Sequence, residues 1–155
     1  MGRPGPRFRV IIYVDTSAFV KLVVDEDGAD ETRRWFDAAS LAATSVITFP
    51  EACSALTRRA RHDGPANGLQ EWLDALESRW AQTTRVRIDE RLAGSLAIRH
   101  GLRGMDAVHL GAAIGVRERA LTRSASASVA VAAFDRRLLE AAEREGFATL
   151  GGSLT

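Results

Sequence analysis

The chain has 155 residues, 46% of them hydrophobic and 26% charged, which is the size and make-up of one soluble globular domain around one core. Twenty-one Lys and Arg against 20 Asp and Glu leave a formal net charge of +1, so no global basic field announces nucleic acid and any RNA or DNA binding must be local. Cys53, the single cysteine, excludes an internal disulfide, and no apolar run reaches the roughly 18 residues of a membrane span.

The opening MGRPGPRFR has no apolar core of a secretion signal. It reads as a basic leader over residues 1–9, followed by a single domain over 10–155 in a cytoplasmic protein. RVIIYV, residues 9–14, is a short β-branched run that predicts a strand buried on both faces. TSAFVKLVVDE, residues 16–26, predicts a helix with hydroxyls in its first turn. Residues 28–39 predict a second helix, with acids near its amino end where the helix dipole favours them. LAATSVITF supplies a strand and a turn before a helix over residues 50–64, with Pro50 in its first turn. GPANG then breaks the chain.

Residues 69–82 carry Trp72, Leu73, Leu76 and Trp80 at three-to-four spacing, the pattern of a packing face. TRVRID predicts a strand, and residues 90–102 a helix ended by Gly101. GMDAVHLGAAIGVRERA predicts a helix rich in small residues. A loop around TRSASAS, the strand VAVAAF, the helix RRLLEAAEREGF and a short strand ATL complete the chain. This alternation predicts an α/β fold, a central parallel sheet of about five strands with helices on both faces.

In such a sheet, ligands bind beyond the carboxyl ends of the strands, where the strand order reverses. Asp15 ends the first strand and Asp135 follows VAVAAF; Glu51 and Asp106 lie near the starts of helices that can begin at the same rim. Singly, each acid could be an ordinary helix cap or a first-turn acid. Together they could converge on one rim, and a four-carboxylate cluster there would raise its members' pKa values and call for a cation. Oxygen donors alone select hard ions, Mg²⁺ or Mn²⁺, which reach phosphate oxygens and suit phosphodiester hydrolysis.

Four stretches carry a resemblance: YVDTSAFVKL, TSVITFPEACSAL, GMDAVHLGAA and VAAFDRRLLEAAEREGF. In order and spacing they resemble the four acidic motifs of PIN-domain nucleases, specifically VapC-type toxins of toxin–antitoxin pairs. The resemblance implies a PIN-like three-layer fold and a Mg²⁺- or Mn²⁺-dependent endoribonuclease with one or two ions per site. It further implies homodimerisation and inhibition by a cognate VapB-type antitoxin. Asp15, Glu51, Asp106 and Asp135 become the metal-binding and catalytic acids, with Thr16 or Ser17 as an auxiliary hydroxyl. One departure is Ala133, where the family often places a hydroxyl or amide two residues before its last acid.

The remaining polar candidates read more plainly. His109, among Val108, Leu110 and Ala112, reads as a satisfied packing residue ahead of a ligand or general base. Arg103, Arg123, Arg136 and Arg137 flank the acids in sequence and are candidates for steering a phosphate backbone. Cys53 reads as structural. Two rival functions compete. An aspartyl-phosphate enzyme using Asp15 as nucleophile is a poor match, because Ser17 stands where a second Asp belongs. A catalytically silent PIN-like module that binds RNA or protein is the alternative from another class.

Overall fold

The structure is a computed structural model that describes residues 10–63 and 66–152. The proposed leader over 1–9 lies outside the described residues. Twelve elements follow one another: β1 (Val10–Val14), α1 (Thr16–Lys21), α2 (Ala29–Ala38), β2 (Leu41–Ser45), α3 (Thr48–Asp63), α4 (Ala66–Ala81), β3 (Thr84–Val86), α5 (Glu90–His100), α6 (Gly104–Arg123), β4 (Ser128–Ala133), α7 (Arg136–Arg144) and β5 (Ala148–Gly151). All strand pairings are parallel, in the order β3-β2-β1-β4-β5. The expected α/β class and five-stranded parallel sheet are therefore present.

Residue alternation along the central strand sorts the two faces. Tyr13 points into a core shared with α5, α6 and α7 through Leu96, Leu110 and Leu138. Ile12 and Val14 point the other way, into a core built by α1 to α4 with Phe19, Phe36, Leu56 and Leu76. The chain leaves β1 toward β2 and β3, then returns to the opposite side of β1 as β4. That reversal moves the helices to the other face and opens a crevice between the carboxyl ends of β1 and β4.

Several boundaries differ from the sequence reading. Helix α1 ends at Lys21 rather than at residue 26, and its cap Leu22 lies 3% exposed. Val23 and Val24 are buried in the same core as turn residues, so tertiary burial of two β-branched side chains takes over from helical continuation. The strand expected over LAATSVITF stops at Ser45, and Thr48 and Phe49 begin α3 ahead of Pro50. TRVRID forms only a three-residue strand, and its Asp89 turns instead to accept a hydrogen bond from the Leu92 N–H as the cap of α5. Gly101 ends α5 at φ 63°, the left-handed cap expected of it. Trp80 packs against Phe19 and Phe49 with ring centroids at 5.9 and 5.2 Å, so the Trp/Leu stripe is a packing face.

A buried hydroxyl pair ties the sheet to α3 at the rim. The Thr44 hydroxyl donates to the Val14 carbonyl at 2.6 Å, so Thr48, 2.7 Å away, must donate to Thr44. Both threonines are fully buried. Thr44→Val is expected to lower stability by about 1–3 kcal/mol by stripping both bonds from a dry site, measured as a shifted urea midpoint with unchanged m.

Candidate active site

Asp15 follows the last residue of β1 and caps α1, with its carboxylate accepting from the Ala18 N–H at 2.9 Å. It is only 4% exposed. Ser17 donates to the same carboxylate at 2.7 Å and accepts from the Phe134 N–H at 3.0 Å. One hydroxyl thus links the first acid to the loop that carries Asp135, and the Asp15 N–H adds a 3.1 Å bond to the Ala132 carbonyl. Burial, and after it the charge of His109 acting in the opposite sense, set the Asp15 carboxyl; the net result is a pKa above its ordinary value. Among the described residues no cation pairs with Asp15.

Glu51, on the first turn of α3, meets Thr16 and His109. The Thr16 hydroxyl donates to Glu51 Oε1 at 2.6 Å, and His109 Nε2 lies 3.0 Å from the same oxygen and 3.1 Å from Thr16 Oγ1. Burial alone would raise the Glu51 carboxyl, but the hydrogen bonds from His109 and Thr16 and the His109 charge hold it below the ordinary range. His109 itself is 3% exposed, and its Nδ1 meets the Tyr13 hydroxyl at 2.8 Å. His109 is buried and satisfied, as a packing residue would be, but its partners are side chains of the site. The signal for this in the sequence is its place three residues after Asp106, on the same helix face.

Asp106 sits in the first turn of α6 and Asp135 caps α7, accepting from the Leu138 N–H at 3.0 Å. Burial first, then the charge of Asp135, raises Asp106 above its ordinary value; Glu51 adds to this, while His109 and Arg103 oppose it. The four acids therefore feel one another at one rim. Among the described residues, however, no three His, Cys, Asp or Glu side chains stand close enough to form a ready-made metal shell. Direct bonds join Glu51, Thr16 and His109 on one side and Asp15 with Ser17 on the other.

The donor chemistry nonetheless suits a hard divalent ion. The four acids offer only oxygen, and Asp15 and Asp106 carry raised pKa values that a dication would relieve. Mg²⁺ keeps several waters and needs only one or two direct carboxylates, so it does not require a closed protein shell.

The arginine candidates separate. Arg103 immediately precedes α6 and acts on Asp106. Arg136 pairs with Glu140 at 2.9 Å on the exposed face of α7, and Arg137 is exposed. Arg123 is at the far end of α6, about 25 Å along the helix from Asp106 at 1.5 Å per residue. There it lines a cavity with Ile11 and Leu41 at the amino ends of the strands. Proximity in sequence does not carry Arg123 to the acids, because a helix of 20 residues spans the whole domain. Cys53 is half-buried, and burial followed by the charge of Glu77 raises its thiol, consistent with a structural role.

A fold built this way has relatives. The family model described as PIN domain matches residues 12–144. Ribonuclease VapC45 of Mycobacterium tuberculosis is 37% identical over 140 residues, covering 88% of this chain and 92% of that protein. The crystal structure of PAE2754 from Pyrobaculum aerophilum superposes with a TM-score of 0.62 at 19% identity, covering 91% of this chain and 84% of that one. The crystal structure of Mycobacterium tuberculosis VapC20, described as a sarcin-ricin loop cleaving toxin, superposes with a TM-score of 0.56 at 19% identity over 88% and 96%. These two structures share the fold. With a matching family model over most of its length and a relative well above 30% identity, the chain belongs to the PIN-domain family, among its VapC ribonucleases.

Proposed function

We propose that the protein is an endoribonuclease toxin that hydrolyses RNA phosphodiesters with the help of one or two Mg²⁺ or Mn²⁺ ions, and that a cognate VapB-type antitoxin neutralises it. The observation that carries this reading is Asp15. It is a carboxylate buried at the carboxyl ends of β1 and β4, in no salt bridge among the described residues, whose pKa is raised chiefly by burial against the opposing charge of His109. Such a group is costly to the fold and is maintained where chemistry needs it. The VapC ribonuclease relative supports the same reaction class. The silent-module alternative gains no support, since all four acids are present at the rim.

Asp15, Asp106, Asp135 and Glu51 would hold the ion. When bound, it supplies Lewis-acid chemistry, acidifying water and neutralising charge on the phosphoryl oxygens. The chain's own groups orient the acids. Ser17 and the Ala18 N–H fix the Asp15 carboxylate, while Ser17 also registers the Phe134 amide beside Asp135. Thr16 and His109 hold Glu51. Arg103, beside Asp106, offers a positive charge to the RNA backbone. RNA cutting places the protein with its substrate in the cytoplasm. A homodimer would bring two such crevices into one assembly.

The test is incubation of the purified chain with total RNA and Mn²⁺ or Mg²⁺, against the same reaction in EDTA. Cleavage confined to the metal-containing arm is expected. Undiminished cleavage in EDTA would discard the metal-dependent mechanism, and no cleavage in either arm would discard the ribonuclease.

A further inference from the structure

We propose that Tyr13 and His109 form a positioning pair that fixes Glu51 and Thr16 for metal binding, with His109 acting through Glu51 and not on the RNA. The proposal rests on the ribonuclease reading above.

The imidazole of His109 is almost wholly enclosed, yet both of its nitrogens are committed to side chains at the rim. A glutamate carboxylate accepts hydrogen bonds and does not donate them. Nε2 therefore carries its hydrogen toward Glu51 Oε1, and Thr16 Oγ1 closes the triangle by donating to the same oxygen. Tyr13 supplies the other anchor. Its fully buried hydroxyl lies 2.8 Å from Nδ1 and holds that side of the ring. The ring thereby connects four elements: β1 through Tyr13, α1 through Thr16, α3 through Glu51, and its own α6, one turn from Asp106.

Both hydrogen bonds to Glu51 fall on Oε1. Among the described residues Oε2 takes none, so it is the oxygen left for a cation or its water. The Glu51 side chain is 29% exposed and would sample several rotamers if released. A partner that orients a ligating carboxylate typically changes metal affinity or activity by about 10–100-fold when removed. A histidine serving packing alone would satisfy its nitrogens with backbone groups and leave Glu51 free.

The test uses the full chain and Mn²⁺ alone as probe, read as the Mn²⁺ concentration that half-saturates thermal stabilisation. His109→Leu is expected to raise that concentration by about 10–100-fold, and His109→Gln, which keeps a donor at the Nε2 position, to restore most of it. In cleavage of an oligoribonucleotide the loss should appear in kcat rather than KM. Glu51→Gln should weaken Mn²⁺ binding as well, and His109→Leu/Glu51→Gln should bind no more weakly than Glu51→Gln alone. Should His109→Leu fail to fold, Tyr13→Phe, which removes one hydroxyl, carries the same expectation with a smaller loss. Wild-type Mn²⁺ affinity in these variants, or losses that multiply in the double variant, overturn the positioning role. A wild-type chain that neither responds to Mn²⁺ nor cuts RNA overturns the ribonuclease reading instead.

Discussion

Asp15→Asn is expected to remove RNA cleavage, by roughly 10²–10³-fold or more given the scale of losing one charge-stabilising group, while making the metal-free protein more stable. The two effects have one cause. The folded-state pKa of Asp15 is raised, chiefly by burial, so its protonated form is the one the fold prefers. Its favourable contribution is present below the ordinary carboxylate pKa and is lost as pH rises through the raised folded value. At neutral pH the ionised carboxylate opposes folding. Asparagine keeps an oxygen that can accept from Ser17 and the Ala18 N–H but carries no charge.

The gain should fall within about 0.5–2 kcal/mol, as for single stabilising replacements at strained functional sites. It is measured by thermal melting in EDTA at pH values stepped upward from the ordinary carboxylate range. The difference between variant and wild type should widen with pH. Adding Mn²⁺ should reverse the ranking, because only the wild type gains binding energy. A variant less stable than wild type in EDTA at alkaline pH would show that the Asp15 charge is already compensated within the protein.

Gly151→Ala is expected to produce the largest loss of stability, at least about 2–3 kcal/mol from backbone strain and clash combined. Gly151 closes β5 at φ 107° opposite Ala133, and a Cβ built there lies 1.9 Å from the Ala133 carbonyl oxygen. No rotamer relieves that contact, because Cβ is fixed by the backbone. Either β5 withdraws from β4 or the end of β4 shifts. At about 2–4 °C per kcal/mol for a chain of this size, the melting temperature should drop by roughly 5–10 °C. An unchanged melting temperature would mean that the Ala133–Gly151 pairing contributes nothing.

Ala133 also accounts for a departure noted in the motif pattern. The family resemblance places a hydroxyl or amide two residues before the last acid, and here that position is a fully buried alanine in the sheet. The Ser17 hydroxyl reaches the adjacent Phe134 amide from α1 and ties the β4 end to Asp15. A polar group from a distant part of the chain thus anchors this strand end. Lys21, only 7% exposed, adds to it: its ammonium lies 4.5 Å from the centroid of the Phe134 ring and bonds to Glu26 and the Asp27 carbonyl.

Strand and helix identities, the alternation that demands a parallel sheet, the Gly101 cap and the four acids at element ends all follow from local chemistry. Side-chain shape, hydrophobic period and capping act over a few residues and can be read from the sequence directly. The early end of α1 could not be read that way, since Val23 and Val24 leave the helix for a core assembled from α2, α3 and β4. Spacing from Asp106 hints at the face His109 occupies but not at its contacts, since its apolar neighbours in sequence describe packing while its partners Tyr13 and Glu51 lie 96 and 58 residues away. Arg123 shows the same limit in reverse, near the last acids in sequence and at the opposite, amino ends of the strands in space. Residue types along the chain select which groups are able to react, and strand order settles which of them meet. Hydrogen bonds and desolvation act over a few ångströms of space, and only the order in which strands pair converts chain separation into that distance.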